Sequence, residues 1–104
     1  MKLIAQAENE PVVTTPDGAQ RRILSHGGKL LLTQFTFDAG VASWHHNHPH
    51  EQLGYVVSGE IDFVMDGQET VRLTAGGSYY VPPSVPHHIA THAPMPKLLA
   101  RAIA

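Results

Sequence analysis

No cysteine occurs among the 104 residues. Disulfides, thiolate zinc sites, iron–sulfur clusters and cysteine nucleophiles are therefore excluded, and any metal must be held by nitrogen and oxygen. Charge is sparse as well: seven Lys and Arg against nine Asp and Glu leave a formal charge of −2, with the basic residues scattered along the chain. Such a balance argues against a nucleic-acid partner. No apolar run approaches the roughly 20 residues that a bilayer span needs, so no membrane partner is expected. Met1-Lys2-Leu3-Ile4-Ala5 passes at once into Gln6, Glu8, Asn9 and Glu10 instead of a signal-peptide core, and the expected compartment is the cytoplasm. A chain of this length buries roughly two thirds of its unfolded surface, enough for one core. A single domain over residues 1–104 is expected, with residues 1–19, which hold Pro11 and Pro16, as an N-terminal arm or dimer-exchange strand.

Helical periodicity is also missing: Gly and Pro punctuate the chain, and no stretch of ten or more residues repeats its apolar positions every 3.6 residues. Short strands remain, at Arg21–Ser25, Lys29–Phe37, Leu53–Val57, Glu60–Met65, Thr70–Leu73, Ser78–Val81, His88–Thr91 and Lys97–Ile103. The fold class is all-β with little helix, and a barrel is favoured because closure removes exposed edges. Asp66-Gly67, between two alternating runs, signals a type I′ hairpin. With Ser58-Gly59 upstream, it predicts that Leu53–Val57 and the next two strands form an antiparallel meander, with Ile61, Phe63 and Met65 on one face.

What the chain does hold in excess is histidine. Four of the eight lie within six residues, His45, His46, His48 and His50. In an extended backbone residues i and i+2 face the same way, so His46 and His48 point together. If that parity resumes after Pro49, Gln52 joins them and Glu51 points away. A second cluster, Pro82-Pro83-Ser84-Val85-Pro86-His87-His88, offers a fourth group in His87, with His88 facing the opposite way. His26, His45, His50, His88 and His92 are read as packing or solvent residues.

These residues also carry a family resemblance. The chain resembles the cupins, whose first motif is G-x5-H-x-H-x(3,4)-E-x6-G and whose second is G-x5-P-x-G-x2-H-x3-N. Gly40, His46, His48, Gln52 and Gly59 match the first at every spacing, with Gln52 in place of the acid. Gly76, Pro82 and His87 match the second, with Ser84 for Gly and Thr91 for Asn. The resemblance implies a cupin β-barrel of jelly-roll type (a double-stranded β-helix). It also implies one divalent transition metal ion, nickel, zinc, manganese or iron, held by His46, His48, Gln52 and His87. Within cupins, the His-x-His-Pro-His-x-Gln run and residues 17–24 and 30–40 are similar to the pectin-degradation proteins that convert unsaturated monomeric uronates into linear ketonised sugars. Those proteins carry an Asp-x-Phe-x3-Arg pattern on the last strand, whereas this chain ends Lys97-Leu-Leu-Ala-Arg-Ala-Ile-Ala104 and has no Asp or Glu after Glu69. Cupins commonly dimerise, so a homodimer is expected.

Three imidazoles and an amide leave a divalent charge uncompensated, which favours Lewis-acid work on a small oxygenated metabolite, such as isomerisation or tautomerisation of an unsaturated sugar acid. An iron-dependent dioxygenase and a non-catalytic sensor or binding module are the alternatives. No catalytic residue is assigned. For a carboxylate substrate the available cations are Arg21, Arg22, Arg72, Arg101 and three lysines, of which Arg22 or Arg101 serves in a bidentate contact. Gly54, of the same parity as Gln52, leaves room beside the metal or allows a close backbone approach. Trp44, Phe35 and Phe37 line the pocket mouth or belong to the core.

Overall fold

Among the described residues, alternating apolar residues between Gly- and Pro-rich turns build nine strands. They are β1 (Val13–Thr14), β2 (Gln20–Gly27), β3 (Leu30–Phe37), β4 (Gln52–Ser58), β5 (Glu60–Met65), β6 (Val71–Thr74), β7 (Ser78–Val81), β8 (His87–Ala90) and β9 (Lys97–Ile103). The computed structural model describes residues 1–38, 40–91 and 97–103, the last segment as backbone alone. Among the described residues helix is confined to a single 3-10 turn, Ala7–Asn9, and no helix is long and apolar enough to cross a membrane.

Six strands form one sheet in the order β1-β2-β3-β9-β4-β7, and three form a second in the order β6-β5-β8. All neighbours are antiparallel. The fold is the expected all-β jelly roll, with two sheets around one core instead of one continuous hydrogen-bonded ladder. Phe35, Phe37, Val56, Tyr79 and Val81 from the larger sheet meet Ile61, Phe63 and Ile89 from the smaller in a single buried cluster. Each such side chain contributes about 1.5–3 kcal/mol on leaving water.

Strand parity follows the sequence closely. In β4 the inward residues Gln52, Gly54 and Val56 are buried while Leu53, Tyr55 and Val57 are exposed, and in β5 Ile61 and Phe63 are buried. The expected meander is corrected: β5 pairs with β6 and β8, and β4 lies in the other sheet. Both edges of β4 are already taken, by β7 and β9, so no hydrogen-bonding edge remains for β5. The turn at Asp66-Gly67 joins β5 and β6 as expected, but only Gly67 has positive φ (79°), whereas a type I′ turn needs it at both central residues. Gln68 N–H closes the turn by donating to the Met65 carbonyl at 3.1 Å, the bond common to the β-turn types.

The N-terminal segment lies against its own chain. Lys2 bridges to His26, β1 pairs with β2, and Lys2 forms an ion pair with Glu10.

Candidate metal centre

Two pieces of backbone place the imidazoles. His46 and His87 form an isolated antiparallel bridge, His46 N–H donating to the His87 carbonyl at 3.0 Å and His87 N–H to the His46 carbonyl at 2.8 Å. Directly opposed residues project to the same face, and the two rings lie 4.5 Å apart. His48, two residues on, shares that face, with its ring 5.6 Å from His46 and 4.8 Å from His87. The loop before β8 is tied to it: Ser84 N–H donates to the His48 carbonyl at 2.7 Å. Ser84, where the cupin motif has Gly, holds φ at 65°, the left-handed region that motif position requires.

Ring nitrogens of His46, His48 and His87, one from each, lie within 4.8 Å of one another, a group that could hold a metal ion. Their second nitrogens are committed to backbone carbonyls: His46 Nδ1 donates to Trp44 O at 2.6 Å, His48 Nδ1 to His50 O at 2.7 Å and His87 Nδ1 to Val85 O at 2.8 Å. A carbonyl only accepts, so each neutral ring carries its proton on Nδ1 and its lone pair on Nε2. That is the tautomer metal ligation requires, fixed by outer hydrogen bonds of the usual kind. Gln52, 1% exposed, places Oε1 2.9 Å from His48 Nε2, and its Nε2 donates to the Tyr79 hydroxyl at 3.4 Å. Two lone-pair atoms thus face each other, an arrangement that a shared cation satisfies. The donor set of three imidazole nitrogens and one amide oxygen fits a transition-metal ion.

The neighbouring residues sort as parity requires. Glu51 points away and accepts from the Tyr80 hydroxyl at 2.6 Å. That hydrogen bond, with smaller effects from desolvation and the carboxylate charge, raises the Tyr80 phenol above its ordinary range. In Glu51→Gln, spectrophotometric titration is expected to show the Tyr80 phenol ionising at lower pH, with metal content unchanged. A phenol titration unmoved by the substitution would show that the pair does not persist in solution. His88 faces outward, as expected, its Nδ1 2.7 Å from His45 Nδ1, and His45 Nε2 in turn lies 2.9 Å from Asp66 Oδ1. Burial, then the neighbouring His45 and His46, hold His88 below the usual imidazole range. The ring of His50 stacks on that of His48 at 4.0 Å.

One other expectation comes out differently, and the arginines fall at separate places in the fold. The space beside Gly54 is filled: a Cβ there would overlap the Tyr79 ring, which is itself stacked on Phe63 at 4.3 Å. Gly54 therefore serves a close side-chain approach and leaves no room for a ligand. Arg22 donates from Nη1 to Gln34 at 3.4 Å, and with Val12, Gln20 and Thr36 it lines a groove apart from the histidines. Its neighbour Arg21, on the alternate face of β2, shares a cavity with His46. The register sets Arg101 across from Thr33 and Gly54, while its side chain, like His92, lies outside the described residues.

The family model described as a cupin domain matches residues 33–99, well over half of the chain. The chain is a cupin. The pectin degradation protein KdgF of Dickeya dadantii (strain 3937) is 30% identical over 64 residues, 61% of this cupin and 57% of that protein. The match thus spans little more than half of that relative. An RmlC-like cupin from Shewanella frigidimarina NCIMB 400 superposes with a TM-score of 0.88 at 30% identity, covering 99% of this chain and 90% of that one. KdgF from Halomonas sp. gives 0.87 at 27% identity, with 96% and 92% covered. This cupin therefore resembles the pectin-degradation cupins in sequence and in fold.

Proposed function

We propose that this cupin binds one divalent transition metal ion through His46, His48, His87 and Gln52 and isomerises a small oxygenated metabolite of the unsaturated sugar-acid class. The observation that carries the reading is the shared tautomer of the three imidazoles, each Nδ1–H held by a carbonyl while Nε2 bears the lone pair. Similarity to KdgF supports the substrate class. A divalent ion held there supplies Lewis-acid stabilisation of negative charge on a substrate oxygen. The protein's part is to keep the donor set neutral and oriented: among the described residues no carboxylate joins the three histidines in the candidate group, and Tyr79 holds the Gln52 amide in place.

The test is elemental analysis of untagged protein together with turnover of 4,5-unsaturated galacturonate, followed by loss of its ultraviolet absorbance. Stoichiometric metal with turnover supports the proposal. Metal without turnover would overturn the isomerase reading in favour of a binding role, the reading favoured by the lack of any Asp or Glu after Glu69. Replacing Gln52 with Glu is expected to keep the metal stoichiometric while changing its selectivity or redox behaviour, because one unit of charge is cancelled at the same position. Competition binding among nickel, zinc, manganese and iron checks this, and an unchanged preference and redox response would count against the charge argument.

A further inference from the structure

A cavity of about 280 Å³ is bounded by Arg21, Phe35, Phe37, Trp44 and His46, with Asp17 also on its wall. It joins a cation to one of the candidate metal ligands. In the β2–β3 register Arg21 stands opposite Phe35, and directly opposed residues share a face, so Arg21 projects to the side on which Phe35 and Phe37 enter the core. Arg22, of opposite parity, overlooks a groove of about 30 Å³, too small for a metabolite.

Arg21 Nε is buried with no hydrogen-bond acceptor among the described residues, and no carboxylate among them forms an ion pair with Arg21. A guanidinium against aromatic walls with an unanswered donor carries a desolvation cost that an anion would remove. Its planar fork matches a carboxylate in bidentate fashion. Asp17 does not answer it, being turned to its own loop and to the segment before His46: Oδ1 accepts from the Thr15 hydroxyl and Oδ2 from Trp44 N–H at 3.1 Å. Burial opposes its ionisation, but these hydrogen bonds outweigh it and hold the carboxyl below its ordinary range.

We infer that Arg21 is the carboxylate anchor of a small-molecule site beside His46, and that its ligand is a compact hydroxy- or keto-monocarboxylate of sugar-acid size. The placement beside the metal rests on the function proposed above; the anion subsite rests on Arg21 and the cavity. Trp44 and Phe35 supply apolar walls for the carbon skeleton.

The experiment is calorimetric titration of the metal-loaded protein with galacturonate, which lacks the unsaturated bond, and with galactose, which lacks the carboxylate. Galacturonate is expected to bind more tightly than galactose. Arg21→Ala should weaken galacturonate binding by about ten- to hundredfold, with galactose binding and metal content unchanged. Arg21→Lys should restore part of the loss, since it returns the charge without the fork. Arg72→Ala removes an equal charge from the exposed ion pair with Asp62 on the other sheet and should leave both affinities as they were. Equal affinity of the wild type and Arg21→Ala for galacturonate would overturn the inference, as would an equal loss in Arg22→Ala or a wild type with no preference for the acid. Absence of turnover with Arg21-dependent galacturonate binding intact would overturn the isomerase reading and leave the anion subsite standing.

Discussion

In His48→Ala, stoichiometric metal binding is expected to disappear. His48 is held from several sides. Its Nδ1 is held by the His50 carbonyl, its ring is stacked on His50 at 4.0 Å and is edge-on to His87, and its own carbonyl accepts from Ser84 N–H. Removing the ring takes away one of three nitrogen donors and the partner of Gln52 Oε1. Loss of an outer-shell partner alone typically lowers metal affinity about 10–100-fold, so loss of a direct ligand should exceed that range. Isothermal titration with zinc and elemental analysis of the purified variant give the readout. Glu51→Gln is the matched control, altering the adjacent inward-outward repeat at a residue whose carboxylate binds Tyr80. Equal metal loss in both variants would sink the assignment of His48 and Gln52 to one face and Glu51 to the other.

In Gly54→Ala, a large loss of stability is expected from the addition of one methyl group. The new Cβ would overlap the end of the Tyr79 ring. Tyr79 cannot easily yield, because it is only 7% exposed and stacked on Phe63, which is itself in the core. Overpacking of this kind costs about 1–3 kcal/mol, and more where the neighbours cannot relax. We expect the upper end, near 3 kcal/mol, which in a domain of about 100 residues lowers Tm by more than about 10 °C. The same shift pulls the Tyr79 hydroxyl from the Gln52 amide, so metal affinity should fall with stability. Thermal unfolding with and without zinc measures both. A Tm within about 2 °C of the wild type would mean that Tyr79 has another place to go and that Gly54 is not needed for its packing.

The similarity to the pectin-degradation cupins spans 61% of this chain in sequence and 96% of it in fold. β9 sits between β3 and β4, with Arg101 across from Thr33 and Gly54. β9 thus stands in the interior of the larger sheet, where the order runs β1-β2-β3-β9-β4-β7.

The sequence by itself determined eight of the nine described strands, all but the short β1, along with their inward faces and the histidine group. Each depends on local rules: a period of two in an extended chain put His46 and His48 together and sent Glu51 away from Gln52, and turn residues bounded the runs. Motif spacing added His87 from a distance. Only the tertiary structure decided what depends on which strands become neighbours. That β4 and β5 part into different sheets follows from β7 and β9 occupying both edges of β4, a fact no local pattern carries. That Tyr79 fills the space at Gly54 follows from the same pairing, which sets Gly54 opposite Tyr79. Arg21 and Arg22 are equivalent as letters, and a charged residue shows no apolar signature to fix its face. Only the register of β2 against β3, and the Trp44–His46 segment beside it, put Arg21 in the cavity and Arg22 outside it.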